Sequence, residues 1–136
     1  MKKLFAISCM AALLSLVLSG CVGSSGSPNG DTTLNINMTD YKFDPSAWTV
    51  PAGKTITVNL KNSGSAPHTW TIMTKPITGP YTSADKPDIL FDSGTLESGS
   101  SKTFSFTAPS TPGNFQVICI VRGHLEFGMV GQLTVK

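Results

Sequence analysis

Metal-binding and basic side chains are scarce in this sequence. Its 136 residues include only two histidines and three cysteines, and its ten lysines and arginines form no cluster. Aromatic residues do not alternate with basic ones either, so nothing in the pattern indicates a protein that binds nucleic acid. No segment of ten or more residues shows helical periodicity, which argues against long helices.

The first twenty residues have the pattern of an export signal. Two lysines at positions 2 and 3 precede an apolar run, 4–18, that is too short to span a bilayer permanently. The run ends in Leu-Ser-Gly-Cys at 18–21, which resembles the lipobox of bacterial lipoproteins. We therefore predict a lipoprotein signal peptide (1–20) and a lipid on Cys21 that anchors the exported protein to a bacterial membrane, facing the periplasm or cell exterior. An ordinary signal peptide with a chance cysteine is the alternative.

Removal of the signal leaves one free thiol and a balanced charge. Cys9 leaves with the signal and Cys21 carries the lipid, so Cys119 alone remains free, in a compartment where spare thiols oxidise or pair. Metal binding would explain such a thiol, and a buried inert cysteine is the alternative. Two of the ten basic residues leave as well, so eight basic and eight acidic residues remain.

A tether follows the signal. Residues 21–31 comprise the cysteine and a Gly/Ser-rich stretch with little apolar content, which predicts a flexible segment. Ten such residues have a root-mean-square span of about 17–19 Å. We assign residues 32–136 to a single folded domain.

Short alternating runs separated by turn signals fill that domain. The runs contain Leu34, Ile36 and Met38; Ile56, Val58 and Leu60; Trp70 and Ile72; Phe104 and Phe106; Phe115, Val117 and Cys119; and Val130, Leu133 and Val135. This pattern predicts an all-β protein, a Greek-key β-sandwich of about eight strands, and we expect a monomer. The proline-rich segment 75–88 is predicted to be an irregular surface connection without helix or strand.

A set of metal-binding residues lies near the C-terminus. Cys119, His124 and Met129 follow one another at five-residue intervals, and Gly123, Gly128 and Gly131 lie among or just after them. Thiolate and thioether are soft ligands and imidazole suits copper and zinc, so the combination favours copper.

The other histidine completes the set. His68 lies 51 residues before Cys119, in a segment whose composition suggests a strand. If the four residues converge, two imidazoles and a thiolate form a trigonal set with a weak axial thioether, as in blue-copper electron-transfer sites. Taken alone, a histidine in an apolar strand is more often a core or rim residue than a ligand, and Met129 is compatible with ordinary core packing; the joint occurrence of the residues favours the metal site.

Residues 33–136 resemble the cupredoxin family of blue copper proteins, and among them most the azurin-type and auracyanin-type members. The matching motifs are Phe43-x-Pro45, Val50-Pro51-x-Gly53, Asn62 before His68, Trp70, Pro112-Gly113-x-Phe115-x-Val117-x-Cys119, Gly123-His124 and Gly128-Met129-x-Gly131. The resemblance implies a cupredoxin fold and one type 1 copper ion bound by His68, Cys119, His124 and Met129. It also implies single-electron transfer between redox protein partners, with no small-molecule substrate.

Two positions depart from the family pattern. Thr69 stands where the family usually has an asparagine that braces the two ligand loops, and Arg122 stands where it usually has proline. We expect Arg122→Pro to lower the reduction potential, because it removes an N–H donor or a positive charge that favours Cu(I).

The family also implies an exposed apolar patch beside the second histidine. Leu125 and Phe127 are the candidates for a docking face toward redox partners. Burial of one or both in the core is the alternative.

Other functions account for fewer of these residues. A Cys-His enzyme would leave Met129 and the glycines without a role. A copper enzyme is disfavoured because four protein ligands leave no open position for a substrate. A binuclear copper site would need a second cysteine in the loop. A copper-carrying or copper-storage lipoprotein of the cell envelope, which would also use soft ligands such as Met38 and Met73, stays open as the alternative.

Overall fold

The computed structural model describes residues 30–136, and its regular structure there is almost entirely β. The strands are β1 (Thr33–Thr39), β2 (Lys42–Asp44), β3 (Ala47–Val50), β4 (Thr55–Asn62), β5 (Thr71–Met73), β6 (Ile89–Asp92), β7 (Ser101–Thr107), β8 (Gly113–Ile118) and β9 (Val130–Val135). One short 3-10 helix, Ser83–Asp88, precedes β6. No helix within the described range is long and apolar enough to cross a membrane.

The strands form two sheets. One has the order β2-β1-β4-β7 and the other β3-β9-β8-β5-β6. β1 runs parallel to β4 and β3 parallel to β9, whereas the other neighbours are antiparallel, so both sheets are mixed. The predicted all-β sandwich is confirmed, with nine strands in the described part of the chain where about eight were expected. The runs listed from the sequence do not include β2, β3 and β6, which have only three or four residues, too short for alternation to identify them.

A single core fills the space between the sheets. On β1 and β4 the apolar side chains alternate with polar ones and are buried, as the two clearest runs of the sequence predict. They join one cluster with Trp48 of β3, Val117 of β8 and Leu133 of β9. This packed core gives the loops at its end a stiff base.

β9 departs from the predicted pattern. Because side chains alternate along a strand, Val130 and Leu133 point to opposite faces, and Val130 is exposed. Gly131 takes the inward position instead. A Cβ there would lie 2.7 Å from both a ring carbon of Trp48 and the carbonyl oxygen of Ser46, so the indole occupies the space of a side chain.

The segment 75–88 is not wholly irregular, contrary to the prediction. Its last six residues form the 3-10 helix because Thr82 and Asp85 build a capping box. The Thr82 hydroxyl oxygen accepts from the N–H of Ala84 at 3.3 Å, and the Asp85 carboxylate accepts from the N–H of Thr82 at 2.7 Å. Local capping therefore starts a short helix although Pro87 lies inside it.

Two connections bring the candidate ligands to one end of the sandwich. β8 ends one residue before Cys119 and β9 begins one residue after Met129, so a single loop carries three of the four candidates. His68 lies in the connection between β4 and β5 and outside any strand, contrary to the sequence-based expectation. Its backbone forms two hydrogen bonds with Leu96: the N–H of His68 donates to the oxygen of Leu96 and the N–H of Leu96 donates to the oxygen of His68, with N···O distances of 3.1 and 2.8 Å.

Candidate metal centre

Three of the four predicted ligands meet in the structure. His68, Cys119 and His124 form a cluster of potential metal ligands, and all three are buried. The Nδ1 atoms of the two histidines lie 3.1 Å apart. The Sγ atom of Cys119 lies 3.4 Å from Nδ1 of His124 and 3.9 Å from Nδ1 of His68.

These distances suit one metal ion. The circle through the three donor atoms has a radius of about 2.0 Å, close to the length of a bond from a first-row metal to an imidazole nitrogen. Two nitrogens and one thiolate sulfur are a donor set that copper and zinc accept and that magnesium or calcium does not. The residues present therefore fit a trigonal N,N,S site.

The electrostatics around Cys119 combine opposing effects. Burial raises the pKa of the thiol, whereas hydrogen bonds from the backbone N–H groups of Thr69 and Val121 lower it. The Thr69 N–H donates to Sγ at 3.3 Å. The thiolate is the form that binds metal, so these N–H donors stabilise the sulfur in its ligand state.

The surroundings of His124 favour its neutral imidazole form. Burial and the adjacent His68 lower the pKa of His124. A neutral imidazole has a free lone pair, which a metal ligand requires. The Nδ1 atom of His124 is the nitrogen nearest to the sulfur, so it is the donor that the geometry selects.

The ligand loop is closed by its own backbone hydrogen bonds. The N–H of His124 donates to the oxygen of Val121 at 3.0 Å, and the N–H of Met129 donates to the oxygen of His124 at 2.9 Å. Gly123 and Gly128 have φ values of +88° and +89°, which side-chain-bearing residues rarely adopt. The glycines singled out in the sequence therefore permit a tight loop.

Met129 is completely buried, and its backbone is hydrogen-bonded to Cys119 of the cluster. Its carbonyl oxygen accepts from the N–H of Cys119 at 3.3 Å, so the two ends of the loop are joined directly at the sulfur-bearing residue. The predicted axial role of its thioether remains a proposal.

The far nitrogen of His68 contacts a residue that the sequence did not indicate. Nε2 lies 2.9 Å from Oδ1 of Asp40, in the turn between β1 and β2. Hydrogen bonds from the hydroxyl and N–H of Ser65 and from the N–H of Ala66 hold the pKa of Asp40 well below its usual range. Asp40 precedes His68 by 28 residues, and no spacing rule links the two.

The outer side of His124 is covered by aromatic rings. Tyr41 meets the imidazole edge-on at a centroid distance of 4.8 Å and stacks on Phe127 at the same distance. Phe127 is 68 % exposed, whereas Leu125 is only half-buried. Of the two predicted docking residues, Phe127 is the more exposed, and Tyr41 is an addition that the sequence did not indicate.

Thr69 takes over part of the bracing role expected of asparagine. Its hydroxyl oxygen accepts from the N–H of Ile120 at 2.9 Å, which joins the His68 loop to the Cys119 loop. The other departure, Arg122, is exposed, and the N–H groups that act on the thiol belong to Thr69 and Val121. The predicted signal peptide, Cys21 and residues 22–29 of the tether lie outside the described residues.

A mixed β-sandwich with a buried His-Cys-His cluster at one end belongs to the class of β-sandwich metalloproteins with a mononuclear nitrogen and sulfur site. A comparison of the sequence with family models identifies the family within this class. The family model described as "Cupredoxin-like domain" matches residues 9–135, so the chain belongs to the cupredoxin family, as its motifs predict.

Similar proteins include several auracyanins. Auracyanin-A of Chloroflexus aurantiacus is 29% identical over 149 residues, covering 90% of this chain and 91% of that protein. The structure of dithionite-reduced auracyanin from Roseiflexus castenholzii has 30% identity and a TM-score of 0.67, covering 79% of this chain and 98% of that one. That of auracyanin A from Chloroflexus aurantiacus, described as a blue copper protein, has 28% identity and a TM-score of 0.64, with 76% and 98% covered.

Proposed function

We propose that this protein is a membrane-tethered electron carrier that uses one type 1 copper ion. His68, Cys119 and His124 are the trigonal ligands and Met129 is the weak axial ligand. The observation that carries the proposal is the buried ring of two Nδ1 atoms and one Sγ atom, whose radius of about 2.0 Å fits a single metal ion. Membership in the cupredoxin family supports electron transfer over catalysis.

Copper supplies a reversible one-electron couple, and the protein supplies a fixed geometry. Cu(II) and Cu(I) favour different coordination, so ligands that cannot rearrange keep the cost of each electron transfer low. The backbone bonds that join Cys119 to Met129 and Met129 to His124 restrain the loop. The bridge from His68 to Leu96 restrains the remaining ligand.

Retention of copper is favoured over delivery. A copper carrier needs exposed ligands that exchange metal rapidly, whereas His68 and Cys119 are 0 % exposed and His124 is 6 % exposed. A chelator such as bathocuproine should therefore remove Cu(I) slowly. Rapid removal together with no reversible one-electron wave would favour the copper-carrying or copper-storage alternative.

The first experiment is the visible absorption and electron paramagnetic resonance spectrum of the Cu(II) protein. We expect an intense thiolate-to-copper band and narrow copper hyperfine splitting, both lost in Cys119→Ser. Met129→Leu should keep the intense band with altered hyperfine splitting, because only the weak axial ligand is removed. A pale wild-type protein with ordinary hyperfine splitting would overturn the proposal.

Electrons are proposed to leave through the aromatic face formed by Tyr41 and Phe127 beside His124. Both rings lie at the surface, and Tyr41 contacts the imidazole directly. Exposed apolar side chains beside a buried redox site suit brief docking of a redox protein. Leu125, half-buried next to His124, would form the rim of this face.

A lipid on Cys21 is proposed to hold the domain at a bacterial membrane, outside the cytoplasm. The support is the Leu-Ser-Gly-Cys pattern at 18–21 and the Gly/Ser-rich residues that follow it. In a bacterial host, Cys21→Ala should move the protein from the membrane to the soluble fraction, and mass spectrometry of the wild type should show an acylated cysteine. Unmodified wild-type protein in the soluble fraction would contradict the anchor.

A further inference from the structure

Asp40 forms the second half of a carboxylate–histidine pair at the candidate copper site. The Nδ1 atom of His68 faces the other two donors, and Nε2 faces Oδ1 of Asp40 at 2.9 Å. A neutral imidazole carries one proton, so binding of metal at Nδ1 leaves that proton on Nε2, where it is donated to the carboxylate. The geometry thus assigns opposite roles to the two ring nitrogens.

The carboxylate is itself held in place by the loop that carries His68. The N–H of Ser65 donates to Oδ2 at 2.9 Å, the Ser65 hydroxyl donates to the same oxygen, and the N–H of Ala66 donates to Oδ1 at 3.2 Å. Within residues 30–136, no lysine or arginine forms a salt bridge with Asp40. Its Oδ1 therefore faces both the N–H of Ala66 and Nε2 of His68, and no cationic side chain within these residues neutralises the carboxylate.

Gly64 closes the remaining space around the pair. A Cβ on this residue would overlap Oδ1 of Asp40 and lie 2.9 Å from Nε2 of His68. The carbonyl oxygen of Gly64 accepts from the hydroxyl of Ser98, which holds the glycine in this position. Backbone therefore packs directly against the hydrogen bond between Asp40 and His68.

We propose that Asp40 is a positioning residue of the electron-transfer site, which fixes the orientation of the His68 ring and lowers the reduction potential of the copper. The inference rests on the proposed function. A carboxylate hydrogen-bonded to a ligand imidazole raises the basicity of the metal-bound nitrogen, which stabilises Cu(II) more than Cu(I). Its fixed negative charge acts in the same direction, because Cu(II) carries the larger positive charge.

The test is the reduction potential of Asp40→Asn, measured by protein-film voltammetry on the full protein. Removing such an outer partner typically weakens metal binding 10–100-fold. If the substitution weakens Cu(II) binding by a factor ten times larger than that for Cu(I) binding, the reduction potential rises by about 59 mV. We therefore expect a rise of this order, with the intense visible band retained.

Asp31→Asn is the matched control. It removes the same charge at the far end of the sandwich, where the backbone of Asp31 is bonded to Thr49 of β3. We expect its potential to equal that of the wild type. An Asp40→Asn protein with a blue band and the potential of the control would overturn the inference and leave the proposed function intact. A wild-type protein without the band would overturn the proposed function instead.

A second measurement does not depend on how the variant folds. In the wild-type Cu(I) protein, which is diamagnetic, the Nε2 proton of His68 should be visible by nitrogen-edited NMR and protected from exchange with water. If the copper-loaded wild type shows no such protected proton on His68, the hydrogen bond to Asp40 is absent and the inference is wrong.

Discussion

Thr69 and Cys119 are joined across the two ligand loops by a hydrogen bond of 3.3 Å from the Thr69 N–H to the cysteine sulfur. The hydroxyl oxygen of the same residue accepts from the N–H of Ile120 at 2.9 Å. One residue next to His68 therefore orients the sulfur through its backbone and fixes the adjacent peptide through its side chain.

Thr69→Val should loosen the site without removing a ligand. The substitution keeps the shape and the backbone donor to the sulfur. It removes the hydroxyl that accepts from the Ile120 N–H and the Thr71 hydroxyl and that lies 3.9 Å from the sulfur of Cys119. The Ile120 N–H is only partly buried, so its loss of an acceptor should cost less than the roughly 1–3 kcal/mol of a fully buried donor. We expect this loss in urea unfolding of the metal-free protein and a changed copper hyperfine splitting in the loaded protein.

Thr69→Ser is the control for this change, because it keeps the hydroxyl. Its hyperfine splitting should match that of the wild type. Equal stability of the valine and serine variants would show that the hydroxyl, with its bond to Ile120, contributes nothing.

The ligand loop is recognisable in the sequence because its chemistry is local. Cys119, His124 and Met129 lie within eleven residues between two alternating runs, and the glycines that the loop needs stand beside them. The sandwich follows in the same way from the long alternating runs of β1 and β4. Such features depend on residues close together in the chain.

The features that sequence reasoning misses arise from distant packing. Asp40 and Tyr41 reach the two histidines only because the turn between β1 and β2 lies at the same end of the sandwich as the ligand loop. The inward position of Gly131 depends on the indole of Trp48, which comes from another strand. No local pattern encodes these contacts.

Gly64→Ala should disturb the pairing of Asp40 with His68 by overpacking. Its Cβ would overlap the carboxylate oxygen, so the side chain or the loop must move. Overpacking of this kind typically costs about 1–3 kcal/mol. We expect lower thermal stability and weaker copper binding, measured by calorimetry and by competition with a chelator.

Gly79→Ala is the matched control, since a Cβ at that position meets no atom within 4 Å. Its melting temperature and copper affinity should stay close to those of the wild type. Wild-type copper affinity in Gly64→Ala would mean that the turn adapts without strain.

Arg122→Pro should lower the reduction potential. The N–H groups that act on the thiol belong to Thr69 and Val121, so the positive charge of Arg122 is the main contribution that this variant removes. The residue is exposed and its charge is screened by salt, so we expect a shift smaller than about 59 mV in voltammetry at low ionic strength.

Arg122→Gln separates charge from backbone at this position. It removes the charge but keeps the N–H, so it should lower the potential as much as the proline variant does. A lowering seen only with proline would assign the effect to the backbone, and an unchanged or raised potential in Arg122→Pro would contradict the prediction.

Leu125→Asp should slow electron exchange with a redox partner, because Leu125 lies at the rim of the proposed docking face. Because this side chain is half-buried, the charge should lower stability as well. Reduction kinetics and urea unfolding of the same variant measure the two effects. Unchanged kinetics would exclude Leu125 from the docking face.

Phe127→Asp gives the sharper test of the aromatic face. The side chain is 68 % exposed and stacks on Tyr41, which in turn contacts His124, so a charge here changes the proposed contact surface without entering the core. We expect the visible spectrum to be unchanged and stability to stay within about 0.5 kcal/mol of the wild type.

Electron self-exchange, measured by NMR line broadening in mixtures of Cu(I) and Cu(II) protein, should slow at least tenfold in Phe127→Asp, because two like charges meet when the faces approach. Leu90→Asp places the same charge on an exposed apolar residue of β6, away from His124, and should leave the rate near the wild-type value. Equal rates in the two variants would mean that electrons leave the protein by another surface.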